Sequence, residues 1–591
     1  MRKTPSACLV ALSVLCLLGI FNLAARAQDR DRDDGREQEH PNGIIEDWSH
    51  HHAVYPRVGP IQSLIAVQHD PRALHSWQNS IRKDWRRYNR RHFGHGANTA
   101  VHTDWSISLG GGTVAPAMYP AKFTFDIGAA PDCTTDFVVF PVNIAGSATQ
   151  PNLVAFNNLY SGTVPAPGIC NRAVPPAGDN GTSATTIWSY DITAGGGIVS
   201  TSPSLSLDGT KVAFVESGAG ATHFHVLAWK SGDGVDVTTP SAQNVLKPKV
   251  ITSGFALVAP AAASGTVTDL PLGSTTDTLS SPFVDYVKDV AYVGNDSGIL
   301  FRIKNVFCTL SCTVGVTGAP SLDNTWNGTG SVTTGCGGVL TGAVVANTGN
   351  VFVGCSDGRV YGFTTAGVAL SPTPSLVVGN GSATGGIVDT PIVDSVNGLI
   401  YAVSGNSGGG TEVVVQASAA DLGSVQTATL AAGGNHNLHA PALNDAYYTS
   451  GTPANWRLYE VAGDSVAGGI KLYGITFAGS HVMTSGNPGS VDSFAVGGAF
   501  EISPLTEFLT TGGEDRFFES FQAAGGGSLA SFRIDTGFPV TFESSNSASV
   551  GTGTTGIIID NAASSSSQAD SVYFGALGAN TAVKLTQGGL Q

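Results

Sequence analysis

Short apolar strands joined by glycine-rich turns recur along most of this chain. From about residue 100 onward, apolar residues alternate with Gly, Ser and Thr, and no stretch keeps the period of a helix. The clearest repeat units begin at residues 202, 281 and 390, as in "SPSLSLDGTKVAFVES". In each unit, a proline-led apolar strand leads through a turn with Asp into an apolar strand with an aromatic residue. This pattern predicts an all-β fold built from sequence repeats.

Eight such units can be recognised, including weaker copies. Their aromatic strands begin near residues 137, 212, 290, 351, 400, 446, 517 and 572. Radial β-propellers contain four to eight blades of four strands each. The repeats therefore predict a single β-propeller over residues 100–591, with eight blades and with seven blades as the alternative.

The stretch "HTDWSISLGGG", at residues 102–112, stands before the first repeat unit and alternates like a strand. The last unit is one strand short, since only "TQGGLQ" follows "TAVKL". Propellers join their ends by letting one terminus add a strand to the blade formed by the other, which hides the strand edges. We therefore expect residues 104–109 to form the outermost strand of the last blade.

The N-terminal region predicts export. Arg2 and Lys3 precede an apolar run, and a small-x-small site ends at Ala27, which together are typical of a signal peptide over residues 1–27 that is cleaved after Ala27. The mature protein is then secreted or periplasmic. Residues 28–69 carry clustered charge of both signs and predict a flexible leader, in which "SHHH" is solvated.

A basic amphipathic helix is predicted over residues 70–93. Asp70 and Pro71 supply an N-cap and a first-turn proline. One apolar stripe follows at helical spacing, formed by Leu74, Trp77, Ile81, Trp85 and Tyr88. The stripe either packs on the chain's own acidic body or lies on anionic lipid, which would give a peripheral envelope contact through residues 71–92.

Charge and hydropathy limit the classes of partner that the protein can have. The chain carries a formal net charge of −15, which disfavours nucleic acid. No apolar run after the signal peptide is long enough for a transmembrane helix. We therefore expect no nucleic-acid partner and no transmembrane segment.

Six cysteines remain after cleavage, an even number in an oxidising compartment. Six cysteines allow about 15 connectivities. Their order suggests three disulfides, Cys133 with Cys170, Cys308 with Cys312, and Cys336 with Cys355.

Two histidine pairs are candidate metal ligands. His223 and His225 are two residues apart, so on a strand their rings project to the same side. His436 and His439 precede a blade, where they can face the channel mouth. The alternative for both pairs is an ordinary surface or hydrogen-bonded histidine.

One acidic residue recurs after the proline-led strands. The simplest interpretation is a turn former whose carboxylate accepts backbone N–H bonds. The alternative is a ring of acids around a cation site at one channel mouth. These acids are Asp208, Asp285 and Asp394, with Asp445 and Asp560 in weaker copies.

The segments "VAYVGNDSGILFRI", "VFVGCSDGRVYGFTTAG" and "ASFRIDTGFPVTF" resemble the repeat of quinoprotein-like propellers, and "SPSLSLDGTKVAFVES" is similar to the TolB-type repeat. The resemblance covers most of residues 113–591. For quinone-dependent members it implies pyrroloquinoline quinone, an Asp base, Glu and Asn ligands for Ca²⁺ and a disulfide of adjacent cysteines. This chain has no adjacent cysteines, and Gly367 and Phe538 stand where those enzymes carry blade-docking tryptophans. We therefore expect no cofactor, with Ca²⁺ or pyrroloquinoline quinone as the alternative.

These observations favour an exported, non-catalytic propeller that binds a protein or glycan ligand as a binding or scaffold module. The alternative is a propeller enzyme, either a degenerate quinoprotein dehydrogenase or a metal-assisted lyase or hydrolase. An adhesion or surface-layer component is a third class. Fold alone does not assign a reaction.

Overall fold

The computed structural model of the chain describes residues 44–55, 70–73, 101–124, 131–161, 170, 183–193, 196–218, 220–235, 246–251, 265–307, 319–432, 436–464, 469–486, 489–494, 502–509, 515–523, 526–534, 541–561, 570–578 and 580–587. Strands dominate these residues, and the helices among them are short. None of the described helices has the length and apolarity that crossing a membrane requires. The predicted signal peptide and most of the predicted helix over residues 70–93 lie outside the described residues.

Three short elements precede the first blade, and a long strand leads into it. The short elements are β1 (Ile44–Glu46), α1 (Ser49–His52) and β2 (Ala53–Val54), and the long strand is β3 (Val101–Ser108). Blade 1 then contains β4 (Ala121–Thr124), β5 (Phe137–Pro141), β6 (Leu153–Asn157) and β7 (Thr185–Ile192). Blade 2 begins with β8 (Ser204–Leu205), β9 (Lys211–Gly218) and β10 (Ala221–Ala228). After β11 (Lys249–Ile251), which pairs in parallel with β7, blade 2 is completed by β12 (Thr266–Val267) and β13 (Leu270–Gly273).

Blades 3, 4 and 5 come next along the chain. Blade 3 contains β14 (Phe283–Asp285), β15 (Val290–Val293), β16 (Ile299–Lys304), β17 (Ser321–Leu322) and β18 (Ser331–Thr333). Blade 4 contains β19 (Leu340–Val345), β20 (Val351–Cys355), β21 (Arg359–Phe363) and β22 (Ser375–Val377). Blade 5 contains β23 (Ile392–Asp394), β24 (Leu399–Ser404), β25 (Thr411–Ser418) and β26 (Gln426–Ala432).

The last three blades complete the ring. Blade 6 contains β27 (Ala442–Leu443), α2 (Asp445–Thr449), β28 (Arg457–Asp464), β29 (Gly469–Thr476) and β30 (Gly489–Phe494), with 3₁₀ turns at Pro453–Asn455 and Gly479–His481. Blade 7 contains β31 (Thr506–Leu509), β32 (Asp515–Ala523), β33 (Gly526–Arg533) and β34 (Thr541–Ser549). Blade 8 contains β35 (Ile558–Asn561), β36 (Asp570–Ala576) and β37 (Thr581–Gln587).

The eight sheets confirm the prediction of an all-β, eight-bladed propeller. First strands of successive blades contact one another, as β4 does with β8 and β19 does with β23, so they surround a central channel. Apolar side chains fill the spaces between neighbouring blades. One cluster, for example, joins Val461 of blade 6 to Phe517 of blade 7.

The strand β3 occupies the edge of blade 8. It pairs antiparallel with β37, with Trp105 opposite Lys584 and Ile107 opposite Ala582. Trp105 and Ile107 are buried, whereas Ser106 is exposed, as expected for a strand that covers a sheet edge with one face inward. The sequence places residues 104–109 at this edge, and the structure pairs residues 101–108 there.

The sixth repeat unit departs from the expected strand near residue 446. Residues Asp445–Thr449 form α2, because the Asn444 side chain caps the helix by accepting a hydrogen bond from the Tyr447 backbone N–H. The second strand of this blade begins only at Arg457. The aromatic pair in the sequence therefore belongs to a helical insertion rather than to the strand.

The expectation of a flexible leader over residues 28–69 is wrong for residues 44–55. These residues form β1, α1 and β2, and Ile45, Trp48 and His52 are buried. The sequence "IIEDWSHHHAV" is too polar to form a core by itself. It is ordered because it packs against first strands that are far away in sequence.

Candidate functional site

The chain fills part of its own central channel. We call residues 44–55 together with residues 70–73 the channel segment. Its strand β1 pairs antiparallel with β4 of blade 1, and β2 pairs in parallel with β23 of blade 5. Because both partners are first strands of their blades, the channel segment lies at the centre of the ring.

Trp48 anchors the channel segment. Its Nε1 donates to the Pro282 carbonyl at 3.2 Å, and its ring packs edge-on against Phe283 with 6.2 Å between centroids. A Cβ built on Gly342 of β19 would lie 2.8 Å from the indole. The missing side chain at Gly342 therefore provides the space that the indole occupies.

Arg72 attaches residues 70–73 to blade 3. The Arg72 Nε donates to Asp70 Oδ1 at 2.9 Å, its Nη2 donates to the Val284 carbonyl at 2.9 Å, and its guanidinium lies 4.2 Å from the centroid of Phe283. Burial alone would raise the pKa of Asp70, but Arg72 holds this pKa below its usual value. The ion pair is thus a fixed, internally satisfied part of the channel filling.

Above Trp48, Asp389 lies between two histidines from different elements. Its Oδ1 is 3.6 Å from His52 Nε2, and its Oδ2 is 3.5 Å from His439 Nδ1. The His52 Nδ1 donates to the Thr390 carbonyl at 2.8 Å, so the other ring nitrogen carries a lone pair when the ring is neutral. Within the described residues, His52 Nε2 has no hydrogen-bond partner, since its contact with Asp389 is longer than a hydrogen bond.

The protonation states follow from burial and from the neighbours. Burial raises the pKa of Asp389, but His52 and His439 outweigh it and bring the value to about 2, so the carboxylate is ionised. Burial lowers the pKa of His52 despite the nearby Asp389. At neutral pH, an anionic carboxylate therefore faces a neutral His52 ring.

Further carboxyl groups surround this pair. Glu412 contacts His436 Nδ1 through one oxygen and accepts the Gly463 N–H at 2.6 Å through the other. Burial raises the pKa of Glu460, and the charges of Glu519, Glu412 and Asp389 raise it further. Burial also raises the pKa of Glu519. We call the whole group the acid–histidine cluster, which consists of His52, Asp389, Glu412, His436, His439, Glu460 and Glu519.

The acid–histidine cluster does not converge on one point as a metal site would. Throughout the described ranges, one group of three or more His, Cys, Asp or Glu side chains has all its ligand atoms within 4.8 Å, and it consists of Cys336, Cys355 and Asp357. Two members of that group are joined in a disulfide, so they offer no thiolate. Of the predicted metal ligands, His436 and His439 belong to the acid–histidine cluster, in which each contacts a carboxylate.

The lowered pKa of His51 predicts how the stability of the protein changes with pH. Its ring stacks on Tyr119 with 5.0 Å between centroids, and burial together with His52 lowers its pKa from 6.5 to about 3. Between these two values the unfolded chain binds more protons than the native chain, so the free energy of unfolding falls as the pH decreases. We expect urea midpoints to fall between about pH 6.5 and pH 4, and His51→Gln to make that fall shallower. Identical slopes in both proteins would contradict this role of His51.

The predicted pair His223 and His225 lies in blade 2, away from the channel segment. The two rings stack with 6.1 Å between centroids, so they do project to the same side of β10. His223 Nδ1 contacts Asp269 at 2.7 Å, and His225 contacts the Thr268 carbonyl and Glu216 through its two nitrogens. Both nitrogens of His225 are engaged within the protein, which favours the hydrogen-bonded interpretation.

The recurring aspartates are turn formers at the three clearest positions. Asp208 accepts the Thr210 N–H, Asp285 accepts the Lys288 N–H, and Asp394 accepts the Val396 N–H. In the weaker copies of the repeat, the aspartate at the same position has a different role. Asp560 forms an ion pair, and Asp445 begins α2.

Two of the three predicted disulfides are present, Cys133–Cys170 and Cys336–Cys355. Cys308 and Cys312 lie outside the described residues. The first bond closes a loop between residues that are 37 positions apart, for which chain entropy suggests a contribution of about 4 kcal/mol. We expect the double variant Cys133→Ser/Cys170→Ser to unfold at a clearly lower urea concentration than the wild type. Peptide mapping without reductant that finds other partners would contradict the assignment.

Sequence reasoning missed Asp389, Glu412, Glu460 and Glu519. They lie in four separate stretches and share no motif. The signal that was present is a single charged residue inside an otherwise apolar strand, as in "RLYEVAG" and "RFFESF". Charged residues are rarely buried without partners, so such positions indicate an internal polar site.

The comparisons with known proteins add no family. No protein-family model matches the chain. No curated protein matches it. Among solved structures, the chain is similar to Sqt1 of Saccharomyces cerevisiae, with a TM-score of 0.43 and 9% identity over 83% of this chain and 99% of that one.

Two further similarities involve proteins named as enzymes. Kuenenia stuttgartiensis hydrazine synthase gives a TM-score of 0.34 and 10% identity over 66% of this chain and 95% of that one. The dihydro-heme d1 dehydrogenase NirN gives a TM-score of 0.34 and 10% identity over 62% of this chain and 58% of that one. The propeller assignment itself rests on the eight sheets.

Proposed function

We propose that this chain is an exported, non-catalytic β-propeller that acts as a binding or scaffold module at the cell envelope or outside the cell. The observation that carries the proposal is the filled channel. Trp48, His52 and Arg72 are buried among the first strands, where an open propeller would offer a concave ligand site. A ligand would then bind to the faces and the outer rim of the propeller.

The same filling supports the absence of a quinone cofactor. Trp48, His52 and Arg72 are buried among the first strands, and a flat, ring-shaped cofactor at the axis would have to displace them. The sequence also lacks the adjacent cysteines of the quinone-dependent enzymes. No catalytic step through a quinone is therefore proposed for this chain.

Exposed valines favour a protein ligand over a glycan. Within the described part of the chain, five of the eight exposed large apolar residues lie in turns after the first or third strand of a blade. Antiparallel order puts all these turns on one face of the propeller. Where such side chains adjoin one another on this face, the apolar surface favours protein partners. The five residues are Val287, Val368, Val396, Val425 and Val482.

Export is supported by the two disulfides, since such bonds persist in oxidising compartments. The cleaved signal peptide over residues 1–27 is part of the proposal. N-terminal sequencing of the secreted protein is expected to begin at Gln28. A mature protein that keeps residues 1–27 would contradict it.

The ligand class is tested by cross-linking the purified protein to solubilised envelope fractions. Val368→Asp and Val425→Asp are expected to abolish a cross-linked partner that the wild type retains. Val377→Asp is the matched control, because Val377 is equally exposed but lies on the outer strand β22. Equal loss with Val377→Asp, or specific binding on a glycan array instead, would overturn the protein-binding face.

An enzyme is the second candidate, favoured by the acid–histidine cluster, since shifted pKa values concentrate at active sites. The purified protein is incubated with pyrroloquinoline quinone and Ca²⁺, freed of excess cofactor and assayed for absorbance and for dye reduction with alcohols and sugars. We expect no retained quinone and no turnover. Retention with turnover would replace the binding module by a dehydrogenase.

A further inference from the structure

The contact between β3 and β37 joins the two ends of the propeller through a buried ion pair. Lys584 Nζ of β37 lies 2.8 Å from Asp104 Oδ2 of β3, and both side chains are 0% exposed. Lys584 is also paired in register with Trp105 on one side and Tyr573 on the other. The amine and the carboxyl group are thus held together inside a stack of aromatic residues.

The Asp104 carboxylate is the close partner of the Lys584 ammonium group. Its Oδ2 lies within hydrogen-bond distance of Lys584 Nζ, at 2.8 Å. The Nζ of Lys122, the other lysine nearby, donates to Thr124 Oγ1. Burying an ammonium group and a carboxylate is costly, since the desolvation of the two charges can exceed what their attraction returns.

The surroundings favour an uncharged amine. Burial lowers the pKa of Lys584, with Lys122 acting in the same direction, while Asp104 and Asp560 oppose the shift. Lys584 and Lys122 each lie 5.9 Å from the ring centroid of Tyr160. A neutral amine is a nucleophile, and a neighbouring acid can carry protons for it.

We propose that Lys584 and Asp104 condense to form an intramolecular isopeptide bond that links β37 covalently to β3. The Lys584 Nζ attacks Asp104 Cγ, and a new N–C bond forms. The bond between Cγ and one carboxyl oxygen breaks. Before the attack, the Lys584 ammonium gives one proton to the Asp104 carboxylate, which leaves a neutral amine and a neutral carboxylic acid. Asp560 then takes a second proton from the attacking nitrogen and passes it to the departing hydroxyl oxygen, so that one water molecule leaves. The ammonium–carboxylate pair becomes a neutral amide and water, and no oxidant or reductant is needed.

Two general effects drive this condensation. Holding an amine and a carboxyl group in a well-oriented contact can give effective concentrations of about 10⁵ M or more, which accelerates amide formation. The reaction also replaces two buried charges by one neutral amide, which removes their desolvation cost. The product would lock the strand that closes the ring, so that the ends of the propeller cannot separate.

Intact-mass measurement of the purified full-length protein tests the proposal directly. After full reduction of disulfides, the wild-type chain is expected to weigh about 18 Da less than its sequence mass, which is the mass of one water. A tryptic digest should contain one branched peptide that joins the segment with Asp104 to the segment with Lys584, and no cleavage after Lys584. A wild-type chain at its full sequence mass would overturn the proposal without any variant.

Single variants test which side chains form the isopeptide bond and which one transfers the proton. Lys584→Arg keeps the charge but is expected to restore the full sequence mass, and Lys122→Arg is the matched control that should keep the loss of about 18 Da. Asp560→Asn is expected to leave most chains uncondensed, because an amide cannot carry the proton. A branched peptide that instead joins Lys122 to Asp560 would overturn the assigned pair, and full condensation in Asp560→Asn would overturn the proton transfer step.

Discussion

Replacing Trp48 by alanine is expected to lower the free energy of unfolding by about 3–5 kcal/mol, the range found for large aromatic residues in protein cores. Trp48 is 2% exposed and packs between Phe283 and the backbone of Gly342. The variant loses the buried indole surface and one of the donors to the Pro282 carbonyl, which keeps its hydrogen bond from Ser204 Oγ at 2.8 Å. Urea unfolding of the mature protein measures the effect.

The control for this variant is Val368→Ala, because Val368 is 59% exposed in a turn. It is expected to change the free energy of unfolding by no more than about 0.5 kcal/mol. If Trp48→Ala is as mild as Val368→Ala, the channel segment does not pack in the centre of the ring. The flexible leader expected from the sequence would then be correct after all.

The blades could be predicted because each one carries its own signal. A proline-led strand, a turn and an aromatic strand recur within about 25 residues, and local periodicity is what a sequence shows best. The position of β3 followed from counting, since a closed ring of four-stranded blades requires the last blade to obtain a fourth strand from elsewhere. This requirement concerns the whole ring, and one segment of the sequence, residues 104–109, meets it.

The channel segment could not be predicted in this way. Its partners β4 and β23 begin about 75 and 340 residues further along the chain, and the pairing uses backbone groups that every sequence has. Three histidines in a row indicate a solvated stretch by composition. His52 is buried in the assembled ring, where its Nδ1 donates to the Thr390 carbonyl and its Nε2 lies 3.6 Å from Asp389.

Part of the acid–histidine cluster could be predicted from the sequence. His436 and His439 stood out as chemistry-bearing residues near a blade, but their partners Glu412 and Asp389 belong to the preceding blade and its lead-in. Spacing within one segment cannot show contacts that arise between blades. For the same reason, a single charged residue inside an apolar strand, such as Glu460, does not reveal in the sequence which residues it contacts. Those contacts arise only between assembled blades.

The second large effect concerns Lys122, whose Nζ lies 3.0 Å from Asp560 Oδ2 with both side chains 1% exposed. Replacing Lys122 by methionine keeps the volume but leaves the Asp560 carboxylate buried without its cation. Removing one partner of a buried pair costs about 3–5 kcal/mol, because the remaining charge stays in a medium that solvates it poorly. We expect a loss of this size in urea unfolding of Lys122→Met.

An exposed pair on the same fold provides the comparison. Lys288 Nζ lies 2.8 Å from the carboxylate of Asp285, but the Lys288 side chain is 50% exposed. Water replaces the lost partner there, so Lys288→Met is expected to cost at most about 1 kcal/mol. The double variant Lys122→Met/Asp560→Leu should recover much of the loss of Lys122→Met, since it removes the stranded charge as well. If both lysine variants cost the same, the charges between blades 8 and 1 are hydrated in solution, and the dry environment on which the isopeptide bond depends does not exist.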